Sequence, residues 1–168
     1  QYHVCLGAPG IARGDERRFA ASILDAIVGG SASSRLFQEI REKRGMAYSV
    51  YSYASQYSDS GQIGVYVGTR EENLGACLEI AVAELGDLAA GNVRADELSR
   101  AKENLKGRLL LSLESTSNRM TRLGKATVTE TPLFTVEELV RRLDAVTSDE
   151  VSALTSRSTS AATVTSAA

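Results

Sequence analysis

GGSASSRLFQEIREKRGMAYSVYSYASQYSDSGQIGVYVGT, running from Gly29 to Thr69, is the stretch that decides how the chain folds. Its first half reads as a glycine-serine turn followed by a short charged helix. Leu36, Phe37 and Ile40 give that helix a buried side, with Arg35, Glu39, Glu42 and Lys43 outside. Gly45 comes next, at a place where a helix exit commonly takes left-handed backbone. The second half reads as a β-hairpin. Tyr48, Val50, Ser52 and Ala54 alternate onto one face of its first strand, and Tyr51, Tyr53, Ser55 and Tyr57 onto the other. Asp59-Ser60-Gly61 supplies the turn, and Ile63, Val65 and Val67 alternate along the return strand. Glycines at 61, 64 and 68 leave room for tyrosine rings across the pair. A hairpin demands antiparallel pairing. The expected fold is therefore α+β, a two-layer domain with a largely antiparallel sheet covered by helices, and not a doubly wound parallel sheet.

Working outward, Tyr2, Val4 and Leu6 alternate in an opening strand that ends at Gly7, Pro9 and Gly10. Asp15 and Glu16 read as the acidic first turn of a helix whose apolar stripe is Phe19, Ile23, Ala26 and Ile27, with Gly29-Gly30 as its exit. Beyond the hairpin the pattern becomes helical. Leu74, Leu78, Ala81 and Leu85 form one stripe, ending near Gly91-Asn92. Leu98, Ala101, Leu105, Leu109 and Leu113 form the next. Thr116 to Thr129 either extends that helix or makes another, and Pro132 breaks the run. Leu139, Val140 and Leu143 mark a further helix, Val151 and Leu154 a last one capped by Ser148, and residues 162–165 a closing strand. At 168 residues the chain is expected to be one domain. It opens at Gln1, already inside a strand, and is expected to be a fragment or second half of a longer protein.

Composition narrows the function classes. With 43% hydrophobic and 24% charged residues the chain is an ordinary globular sequence. A net charge of −2 disfavours general nucleic-acid or anionic-membrane binding. No apolar run approaches the roughly 20 residues of a membrane helix. Cys5 and Cys77 are far apart and read as free thiols of a reducing compartment, so a cytoplasmic location is expected, with the mitochondrial matrix as the eukaryotic equivalent. His3 is the only histidine, and with Cys5 alone beside it no metal set assembles; nor does any serine sit in a nucleophile elbow. The run Gly29-Gly30-Ser31-Ala32-Ser33-Ser34 could offer backbone N–H groups to an anion, but it lacks the phosphate-loop spacing and reads better as two helix caps. Arg41 and Tyr48 remain. A guanidinium fork and a phenol, separated by a helix end and a glycine turn, can converge on one polar cleft; a surface arginine and a packed sheet tyrosine would read the same.

The run Ser33-Ser34-Arg35-Leu36-Phe37-Gln38-Glu39-Ile40-Arg41-Glu42-Lys43, then Gly45-Met46-Ala47-Tyr48-Ser49-Val50, resembles the second-domain signature of pitrilysin/insulinase-type zinc metallopeptidases, the group that includes the mitochondrial processing peptidase. The resemblance continues through Tyr57-Ser58-Asp59-Ser60-Gly61, Gly68-Thr69, Glu97 to Lys102, Leu113-Glu114-Ser115 and Val146-Thr147. It implies a processing-peptidase-like metallohydrolase fold and a clamshell enzyme. An N-terminal domain with an H-x-x-E-H motif would hold zinc, and this domain would close over it and hold the peptide substrate. Arg41 and Tyr48, by the same resemblance, would anchor the peptide backbone and help stabilise the tetrahedral intermediate. Gly29, Gly30 and Ser33 join them as candidate substrate-binding residues. A chain with one histidine cannot contain H-x-x-E-H, so it is expected to bind no zinc and to cleave nothing alone. Arg94 stands where the family often has a capping threonine, and a weaker helix cap is expected there. The expected partners are the zinc-bearing domain, or a companion subunit, and a peptide. The alternatives are a non-catalytic structural subunit of the same fold and an anion-binding module using the Gly29–Ser34 turn.

Overall fold

The computed structural model describes residues 1–160 and 163–167. The hairpin strands β2 (Ala47–Gln56) and β3 (Gly61–Thr69) join β1 (Tyr2–Pro9) and β4 (Thr163–Ala167) in one four-stranded sheet. The order is β2-β3-β1-β4, and every neighbour is antiparallel. The α+β expectation is met. Ala162, expected at the head of the closing strand, lies outside the described residues.

Alternation along the strands sorts the two faces. Val4 and Leu6 stand opposite Val67 and Val65, which in turn stand opposite Val50 and Ser52, and all six are buried. Helices cover this face: α1 (Arg18–Val28) lies on β2, and α6 (Ser148–Thr159) on β1 and against α2 (Leu74–Ala89). Ile23, Leu24 and Ile27 of α1 are almost wholly buried and form the centre of the core. The opposite face carries His3, Tyr51, Tyr53 and Tyr66, with the rings of Tyr51 and Tyr66 stacked at 4.8 Å. Tyr53 lies over Gly64, where a Cβ would come within 2.5 Å of its ring. Tyr57 falls in the turn, past the end of β2.

The helical half contains α3 (Ala95–Glu114), α4 (Thr116–Val128) and α5 (Val136–Ala145). Ser115 caps α4 as a separate helix by accepting the Asn118 N–H. Several expectations are corrected. Helix α1 starts at Arg18, and Asp15 instead accepts the Arg17 N–H at 2.8 Å in the turn ahead of it. Thr147, not Ser148, caps α6, its hydroxyl taking the Glu150 N–H while Glu150 takes the Thr147 N–H. The apolar stripe of α3 is as expected, with Ala101 buried and Leu98, Leu105, Leu109 and Leu113 half-buried, while Leu110 and Leu111, off the stripe, are exposed. At the start of α3, Glu97 accepts the Arg94 N–H at 2.8 Å. Arginine has no acceptor with which to return the bond, so only the glutamate half of a capping box forms.

The exit of α1 also differs. Gly29 has φ −153°, on the negative side, so left-handed freedom is not what glycine supplies there. A Cβ at Gly29 would lie 2.2 Å from the Ser52 nitrogen. Glycine is required because helix and strand touch backbone to backbone.

Candidate functional site

The segment that carries Arg41 is helical from Arg35 and becomes a π-helix over Phe37–Glu42, not the regular short helix expected. Its wider turn is closed by the Lys43 N–H, which donates to the Gln38 carbonyl five residues back at 2.9 Å. Such bulges are frequent at functional sites. Gly45 then takes φ +60°, and the Met46 N–H returns to the Ile40 carbonyl at 3.0 Å. Two side chains fix the next step: Thr69 Oγ1 donates to the Met46 carbonyl at 2.6 Å and Asn73 Nδ2 at 3.4 Å.

Strand β2 opens with a bulge. Ala47 stands opposite Thr69 and Ser49 opposite Gly68, so Tyr48 is the extra residue. This corrects the expectation that Tyr48 shares the buried face of Val50. Ala47 and Val50 both point into the core, which strict alternation would forbid, and Tyr48 is thrown outward, 81% exposed. The Arg41 guanidinium carbon lies 5.2 Å from the Tyr48 ring centre and 4.8 Å from that of Phe37. Its Nε is 4.0 Å from Glu42 Oε1. Both side chains line a cleft of about 530 Å³ with Gln1, Thr69, Arg70 and Asn73. Among the described residues, neither the Tyr48 hydroxyl nor the Arg41 guanidinium makes a hydrogen bond, and both are available to a ligand.

Gly29, Gly30 and Ser33 do not line this cleft. The N–H groups of Gly29 and Gly30 both donate to the Asp25 carbonyl, at 3.0 and 2.8 Å, so those donors are spent. The Ser33 hydroxyl lies 3.3 Å from that of Ser31. On this geometry the two glycines serve packing.

Sequence reasoning missed Arg35, which it placed on the outside. Its side chain is 5% exposed and is the hub of a polar cluster joining three segments. Nε and Nη2 donate to the Glu97 carboxylate at 3.1 and 2.6 Å, Nη1 to Asp87 at 2.7 Å and Glu84 at 3.2 Å, and Nη2 to the Asn92 carbonyl at 2.6 Å. Burial alone would raise the Glu97 pKa, but the Arg35 hydrogen bonds and the Arg94 N–H outweigh it and hold the carboxyl below its usual range. Asp87, bonded by Asn92 and Arg35, is likewise lowered. The Arg35 clamp ties the root of the Arg41 helix to α2 and α3.

The residues do not fit a zinc site. His3 Nδ1 is 2.5 Å from the Tyr66 hydroxyl, and among the described residues no three His, Cys, Asp or Glu side chains come together to hold a metal ion. Also among the described residues, no helix is long and apolar enough to cross a membrane.

Residues 1–105 match the family model described as the peptidase M16 inactive domain. The chain belongs to that family. This M16 inactive domain is 46% identical over 154 residues to an uncharacterized zinc protease of Streptomyces coelicolor, covering 92% of this chain and 34% of the relative. It is 42% identical over the same length to the uncharacterized zinc protease YmxG of Bacillus subtilis, covering 92% and 38%. The chain thus spans little more than a third of the length of these relatives. Its fold superposes with a TM-score of 0.88 on the crystal structure of a peptidase M16 inactive domain from Pseudomonas fluorescens, at 27% identity, over 98% of this chain and 40% of that one. The resemblance to the second domain of pitrilysin/insulinase-type metallopeptidases is borne out: the chain is a peptidase M16 inactive domain, and the relatives it matches are named zinc proteases.

Proposed function

We propose that this M16 domain is the substrate-binding, clamshell-closing half of a zinc metalloendopeptidase, and that Arg41 and Tyr48 reach the peptide near the bond being cut. One observation carries the reading: a π-helix exit and a strand bulge, two independent local distortions, deliver a guanidinium and an exposed phenol to the same cleft. Arg41 anchors a carbonyl of the extended peptide with its planar fork of donors. The Tyr48 O–H donates to the oxyanion that develops when that peptide bond is attacked. The Phe37 and Tyr48 rings hold the Arg41 guanidinium in place, so its orientation is set before substrate arrives. Zinc, in this reading, belongs to an N-terminal companion domain or subunit, and the assembled enzyme is cytoplasmic. The hydrogen-bonding capacity left free at Arg41 and Tyr48 favours this over a purely structural subunit.

The test is peptide hydrolysis by the longer zinc-bearing protein. Tyr48→Phe is expected to lower kcat by roughly a hundredfold, the scale for removing one oxyanion donor, with little change in KM. Arg41→Ala is expected to raise KM. Unchanged kcat and KM in both variants would refute the assignment.

A further inference from the structure

A second cleft, of about 800 Å³, lies where α1, α3 and α4 meet the end of β2 and the segment Thr131–Phe134. Arg13, Arg18, Arg108, Arg122 and Lys125 line it. Among the described residues none of these five has a carboxylate within ion-pair distance, whereas most of the other basic side chains do. Backbone carbonyls hold four of them: Arg13 donates to Gln56 at 2.7 Å, Arg18 to Arg13 at 2.8 Å, Arg108 to Gly30 at 3.4 Å, and Arg122 to Phe134. A carbonyl fixes an arginine through one N–H and leaves its charge and remaining donors unspent. The single carboxylate on the cleft wall is Asp25, already bonded by the Ser52 hydroxyl at 2.6 Å.

Five like charges on one concave surface repel one another, and in a chain of net charge −2 their gathering is local, not a reflection of composition. Leu105, Leu109, Leu133 and Phe134 line it too, among polar residues such as Ser112, Asn118 and Thr121, and the Phe134 ring lies 5.3 Å from the Arg18 guanidinium carbon. The cations come from four separate segments, so they suit an extended ligand with several negative charges better than one small anion. We propose that this cleft binds an acidic peptide segment of another molecule, whose carboxylates pair with the arginines and Lys125 while its apolar side chains rest on the leucines and Phe134. The surface is distinct from the Arg41–Tyr48 cleft, and the inference does not depend on the function proposed for it.

The experiment is fluorescence anisotropy on the 168-residue chain with a dye-labelled peptide of alternating glutamate and leucine, set against its lysine-leucine counterpart. The acidic peptide is expected to bind and the basic one not to, with affinity falling as salt is raised. Arg108 and Lys125 are exposed on α3 and α4; Lys125→Glu should leave circular dichroism and the melting temperature unchanged, and Arg108→Gln removes a cation without setting a second carboxylate beside Asp25. Each substitution is expected to weaken binding by about tenfold, the scale of one charge-assisted hydrogen bond. Should either variant misfold, Arg13→Gln read on the same assay replaces it. Equal binding of the two peptides, unaltered affinity in folded variants, or displacement of the acidic peptide by inorganic phosphate or a single-stranded oligonucleotide at constant ionic strength would each overturn the proposal.

Discussion

Replacing Arg35 with methionine keeps an unbranched stem but not the guanidinium, and removes every donor at the hub of the cluster. Glu97, itself 5% exposed, would lose both Arg35 bonds and keep only Arg94, through its N–H and its exposed guanidinium. Asp87 would lose the 2.7 Å bond, but it is about half exposed and water can replace it at little cost. The loss therefore concentrates on Glu97, a buried carboxylate stripped of its main partner, and breaking such a pair costs about 3–5 kcal/mol. Urea unfolding should show a lower midpoint and an unchanged slope. Adding Glu97→Leu to Arg35→Met removes the orphaned charge, so the double variant should recover much of the loss. Acid provides a second readout. The folded-state pKa of Glu97 lies below its unfolded value of about 4.3, so the stabilisation it provides is complete above that pH and is lost as pH falls through the folded pKa. Glu97→Gln should be destabilised at neutral pH yet converge with the parent chain in acid. A single-variant loss under about 1 kcal/mol, or a double variant as unstable as the sum of its parts, would refute the account of Arg35 as a clamp.

Two further outcomes follow from the α1 exit and the α6 cap. Gly29→Ala should lower stability by at least about 2 kcal/mol in chemical denaturation, because the atom at 2.2 Å is backbone and cannot turn aside. Thr147→Ala should cost about 1 kcal/mol and Ser148→Ala almost nothing; the reverse ranking in thermal melts would show that the cap is misassigned.

Much of this architecture was legible in the sequence because it is local. The alternation of Ile63, Val65 and Val67, the stripe of Phe19, Ile23 and Ile27, and the glycine at 45 each declare a strand, a helix face or a backbone angle within a few residues. What escaped was non-local or carried no mark. Helical periodicity placed Arg35 in solvent, because the carboxylates that justify its burial are near residues 84–97. A bulge inserts one residue without a signature of its own, so alternation alone places Tyr48 on the face of Val50, whereas its pairing between Thr69 and Gly68 turns it outward. The same holds for Gly29, whose role depends on how near β2 passes. The basic cleft was invisible for a related reason: Arg13, Arg18, Arg108, Arg122 and Lys125 are scattered along a chain whose total charge is slightly negative.

The bulge at Tyr48 bears on self-association as well. Strand β2 is an edge of the sheet, and a regular edge presents a repeating row of donors and acceptors on which any extended chain can crystallise as another strand. The extra residue at Tyr48 breaks that repeat near the start of β2 and increases the local twist. The distortion that turns a phenol toward the cleft thus also spoils this end of the strand as a template for aggregation.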